Sequence, residues 1–78
     1  MMKKISRKLF VSRKDKEIGR QYISVANYWM DLSERENNED LRIHYMNTSA
    51  IYLRKAAAYL GFKTVEDMHA YFEQHKTF

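Results

Sequence analysis

Apolar residues recur along this chain at helical spacing. Ile18, Tyr22, Val25, Trp29 and Leu32 follow one another at intervals 4-3-4-3, which puts them on one face of a helix. Ser12 stands where an N-cap belongs, with Asp15 three residues on in the capping-box position. Asp15 and Glu17 in the first turn suit the helix dipole. Gly19 lies inside this helix and costs about 1 kcal/mol relative to Ala. It predicts either a later helix start or a neighbour close enough to need the missing side chain.

Residues 33–40 are polar without interruption, Ser33 to Asp40. Asn37 is the predicted cap of the next helix, with Asp40 three residues later, and Glu39 and Asp40 fall in its first turn. That helix runs over residues 39–60. Its seam is Ile43, Met46, Ala50, Leu53, Ala57 and Leu60, at 3-4-3-4-3. The small residues at 50 and 57 would admit a neighbouring backbone. Gly61 sits where a left-handed C-cap is expected. A third, shorter helix starts at Thr64, with Asp67 as its capping partner and Val65, Met68 and Phe72 as its apolar face, extended by Phe78.

The expected fold is therefore all-α: an antiparallel hairpin of two long helices plus a short C-terminal third helix, in a dimeric bundle. One other arrangement competes with it. Both seams are in the same heptad phase, and no Pro or Gly interrupts residues 21–60. A single helix over 18–60 would be about 64 Å long at 1.5 Å per residue and would need a coiled-coil partner. It would also set Glu36 and Glu39 side by side in the seam, and Asn37 and Asn38 suit a cap better than a helix interior. The hairpin is the preferred reading.

Composition sharpens this picture. At 78 residues the chain is one domain, and one this short buries only roughly 60–65% of the surface exposed when unfolded. Its core must be aromatic-rich or shared with a partner. With 14% aromatic residues it has the rings to do either. The absence of Cys removes disulfides and thiolate metal sites. Sheet turns need Gly and Pro, and the chain has two Gly and no Pro. The longest apolar run, residues 56–60, is far too short to span a bilayer. The basic start has only Leu9, Phe10 and Val11 as an apolar run, too short for a signal peptide. The expected location is cytoplasmic, with no membrane association.

Net charge is +4 and unevenly placed: residues 1–20 hold eight Lys/Arg against two acids, the remainder six against eight. Residues 1–11 read as a basic N-terminal arm and residues 12–78 as a single helical domain. Lys3, Lys4, Arg7, Lys8, Arg13 and Lys14 are candidate phosphate-binding residues, alongside Lys16. Without a docking element such an arm has phosphate affinity but no sequence readout.

The most unusual pattern is Tyr45, Tyr52 and Tyr59, seven residues apart. They stack into a stripe about 130° from the centre of the helix's own seam. Either the third helix or the N-terminal segment covers them, or they form a surface for a partner. Tyr combines apolar area with a hydroxyl suited to a wet rim. Trp29, Tyr45, Tyr52 and Tyr59 are the candidate anchors of self-association or of a protein partner.

Other chemistries are weakly supported. A helix-turn-helix over 53–74 has Ala57, Gly61 and Thr64 in the right order. It fails at Asp67, which falls where a core apolar residue belongs, and at Glu66 and Asp67, which would face phosphates. Glu66 and His69 have a di-iron spacing but occur once, where such sites need two copies. Asp40 with His44, and His69 with Glu73, have the spacing of surface pairs. No metal, cofactor or small-molecule substrate is expected. With no Cys nucleophile and no phosphate-cradling or nucleophile-elbow motif, neither is an enzyme. The function that follows is a small helical protein–protein interaction or regulatory module that self-associates. The alternative is a nucleic-acid-binding regulator using the basic arm and the degenerate helix-turn-helix.

Overall fold

Polar caps define where each helix of the protein begins. The computed structural model describes residues 7, 8 and 10–75. Its helices are α1 (Arg13–Arg35), α2 (Glu39–Tyr59) and α3 (Val65–Gln74). The Ser12 hydroxyl accepts from the Asp15 amide at 3.1 Å, and the Thr64 hydroxyl from the Asp67 amide at 3.0 Å. The cap of α2 is Asn38, whose side chain accepts from Leu41 N–H at 3.2 Å, not Asn37 as expected. The chain turns one residue later because Glu36 folds back: its carboxylate accepts from Asn38 N–H at 3.0 Å.

The three-residue link 36–38 makes α1 and α2 an antiparallel hairpin and removes the single-helix arrangement. The molecule's longest dimension is 42 Å, well short of a helix spanning both segments. At the far end of α2, Gly61 has φ +86°. Its N–H donates to Ala58 C=O and that of Phe62 to Ala57 C=O. This is a Schellman closure.

The hairpin does not close on the expected seams. Its contact line is a row of small residues at seven-residue spacing: Gly19, Ala26 and Ser33 on α1, Ser49 and Ala56 on α2, all buried. The backbones come close there. A Cβ on Gly19 would lie 2.6 Å from Leu60 Cγ, so the glycine is required by a neighbour. The buried Ser49 hydroxyl donates to the Ala26 carbonyl at 2.8 Å, a hydrogen bond between the two helices.

The expected seams are rotated onto the flanks. Ile43 is 47% exposed, and Met46 and Ala50 are exposed too; only Ala57 and Leu60 of that seam are buried. On α1, Ile18, Tyr22, Trp29 and Leu32 are half-buried and Val25 is exposed. The physical reason lies in the tyrosines. Turning the small row inward lets the axes approach while large rings from both helices meet over one side of the junction. Facing Ile43 and Met46 inward would have held the helices apart.

The described core lies at the open end of the hairpin. Ala56, Ala57, Leu60, Phe62 and Met68 form it, with Tyr22, Ile23, Leu53, Val65 and Tyr71 packed around them. Met68 and Val65 are the inward side of α3, while Phe72 of its expected apolar face is exposed. The N-terminal segment also closes this end. Arg7 and Phe62 form an isolated antiparallel bridge, and Lys8 N–H donates to Gly61 C=O at 2.8 Å. So residues 7 and 8 of the basic arm lie against the body. Phe78, and Lys3 and Lys4 of the arm, lie outside the described residues.

Candidate functional site

The aromatic flank is assembled by the hairpin itself. Tyr22 of α1 stacks between Tyr52 and Tyr59 of α2, with ring centroids 5.9 and 5.6 Å away. Trp29 meets Tyr45 at 5.7 Å, and Tyr28 meets the edge of Trp29 at 5.7 Å. Thus the tyrosine stripe of α2 and the apolar seam of α1, two separate patterns in the sequence, share one side of the molecule. The structure brings Trp29 together with Tyr45, and Tyr52 together with Tyr59 through Tyr22. At about 100° per residue, Leu41 lies on the same side of α2 as Tyr59.

Among the described residues, neither α3 nor the N-terminal segment covers this flank. α3 packs over Leu53, Ala57 and Leu60, on the other side of the small-residue row. Val25 remains 37% exposed, and Tyr28, Leu41 and Tyr59 are exposed as well. Trp29, Tyr45 and Tyr52 are half-buried, each with one side held in the hairpin. Ile18, Tyr22, Val25, Trp29, Leu32, Leu41, Tyr45, Tyr52 and Tyr59 make the strip apolar and aromatic, and exposed Lys55, three residues from Tyr52 and four from Tyr59, borders it by helical spacing. It runs roughly 20 Å along α1 from 18 to 32.

A second apolar surface lies opposite. Ala50, Leu53, Ala57, Phe62 and Val65 line an open groove between α2 and the start of α3. Ile43 and Met46 extend it along α2 by helical spacing. Arg54, Lys63 and Glu66 rim it with both signs of charge.

Among the described candidate phosphate ligands, Arg7 is the most constrained. Its Nε donates to the Leu60 carbonyl at 3.0 Å, satisfying an orphan acceptor at the C-terminus of α2. Its guanidinium lies 4.7 Å from the Phe62 centroid and 4.6 Å from that of Tyr71, a cation–π contact with each of two adjoining rings. Lys8, Arg13 and Lys14 are exposed. Arg13 joins Lys16 and Arg20 around a surface notch beside Phe10. Arg20 is absent from the candidates read from the sequence; its signal there is the i,i+4 spacing from Lys16.

The start of α3 carries Glu66 and Asp67 in its first turn, and Asp67 is buried. That helix offers no cationic edge to a groove of duplex DNA. Among the described residues no three His, Asp or Glu are grouped to hold a metal ion, and no helix is long and apolar enough to cross a membrane. Comparison of the chain with family models, with curated proteins and with solved structures finds no match.

Proposed function

We propose that this is a cytoplasmic protein–protein interaction module that self-associates through its aromatic flank. The observation that carries the reading is the aromatic strip formed by Trp29, Tyr45, Tyr52 and Tyr59 with Tyr22, Val25 and Leu41. Its inner side is held by ring contacts within the hairpin and its outer side is open. Contiguous apolar and aromatic residues left open to solvent on a small protein support an interaction site. Tyr and Trp are the residues that dominate interface energetics.

A second copy of the chain is the partner that fits. An apolar and aromatic strip is best buried against another of its kind, and two copies of the chain meet through it in an isologous, two-fold contact. The ring pairs also keep the flank preorganised, so little side-chain entropy is lost on docking.

Trp29 reports on this directly, because it is the only Trp in the chain. Covering it shifts its emission to shorter wavelength. The shift is expected as protein concentration rises from nanomolar to hundreds of micromolar. It should be absent in Val25→Lys/Leu41→Lys, which places charge on the open edge and leaves the ring pairs in place. An emission spectrum independent of concentration in the wild type would sink the proposal.

A further inference from the structure

A basic arm binds phosphate without discrimination unless something docks it, and here the fold supplies the dock. Two notches open on either side of the same pair of α1 side chains, Lys16 and Arg20. The first is completed by Phe10, Val11, Arg13 and Glu17. The second, of about 200 Å³, is completed by Arg7, Leu60, Tyr71 and Phe72. Four cations therefore face the two notches against one carboxylate, Glu17. Phe10 is 81% exposed and Phe72 is exposed, so each notch has an aromatic ring with a free surface beside its cations.

We propose that these notches form one continuous binding track for single-stranded nucleic acid. Lys16 and Arg20, four residues apart on α1, project to the same side and hold phosphates at the centre. Arg13 extends the track past Phe10. Arg7 extends it past Phe72, held in place by the Leu60 carbonyl and by the rings of Phe62 and Tyr71. Phe10 and Phe72 offer faces on which unpaired bases stack. Alternation of cations with exposed rings is the pattern that single strands require. A duplex hides its base faces and is read by an element inserted in a groove. The helix best placed for that, α3, opens with Glu66 and Asp67. The track is at the end of the hairpin and does not involve the aromatic flank, so it stands independently of self-association.

The test is fluorescence anisotropy with a labelled 20-nucleotide dT strand at low ionic strength. The comparators are a 20-bp duplex and sedimented vesicles of phosphatidylcholine and phosphatidylserine at 7:3. The wild type is expected to bind the single strand more tightly than the duplex and to leave the vesicles unbound. Lys16→Gln/Arg20→Gln should weaken single-strand binding at least tenfold and lower the salt slope by about 1.4, or about 0.7 for each phosphate no longer neutralised. Arg54→Gln/Lys55→Gln removes the same charge from exposed positions on α2 and should weaken it less than threefold. Phe10→Ala, at a side chain with no core role, should weaken it severalfold with little change in slope. Equal losses in the two double variants, duplex binding as tight as single-strand binding, or vesicle binding without strand binding would each overturn the proposal.

Discussion

Gly19 shows how a single residue decides the register of the whole hairpin. On propensity alone, Gly19→Ala should stabilise α1 by about 1 kcal/mol. The added Cβ would meet Leu60 Cγ and Cδ2 at 2.6 and 2.8 Å, with the Ala56 carbonyl behind them at 3.4 Å. Overpacking of a closed contact costs about 1–3 kcal/mol. A net loss of stability is therefore expected on urea unfolding, and a gain would mean that the helices do not approach at Gly19. The sequence leaves Gly19 between a later helix start and a close neighbour, and the structure, with α1 starting at Arg13 and Leu60 beside the glycine, decides for the neighbour. Ser49 is harder to place. A serine in a helix reads as surface, and only its bond to Ala26 C=O, with both partners buried, explains its position inside.

The elements themselves are legible because helix starts depend on local chemistry. Ser12, Thr64 and Gly61 perform the capping roles their positions suggest. The start of α2 differs by one residue, since two adjacent asparagines offer the same cap and the Glu36 carboxylate selects between them. Asn38→Ala should cost about 1 kcal/mol, and Asn37→Ala, an exposed side chain, close to nothing; equal losses would contradict the observed cap. The helix faces are less legible. Spacing of 3-4 identifies an apolar face but not whether it meets its own hairpin partner. In α2 the large aliphatics Ile43 and Met46 outweigh the small row Ser49 and Ala56 in that pattern, although close packing depends on the latter. Ile43→Gln should change stability by no more than about 0.5 kcal/mol, measured at a concentration below any association. A loss of several kcal/mol would restore the seam that spacing alone suggests.

At the scale of the whole molecule, the hairpin is extended rather than round. Its radius of gyration is 13.8 Å, against about 11.5 Å for a typical globular chain of this length. Two helices packed along one narrow row leave two long flanks, and α3 covers only part of one. The tyrosine stripe foretells this surplus in the sequence. It does not foretell that α1's seam joins the stripe on one flank, because that follows from the rotation imposed by Gly19, Ala26 and Ser33. The basic end is legible as charge, but its notches depend on Phe10, Phe72 and Arg20 being brought together by the fold. The most direct test of self-association through the aromatic flank is sedimentation equilibrium over a wide concentration range at low and high salt. A dimer of about 19 kDa, twice the chain mass of 9.5 kDa, is expected at both salt concentrations, since the proposed contact is held by apolar and aromatic burial, which salt does not screen, and Val25→Lys/Leu41→Lys should return the protein to monomer. A wild-type protein that stays monomeric at the highest concentration, or a dimer that persists in the double variant, would contradict it.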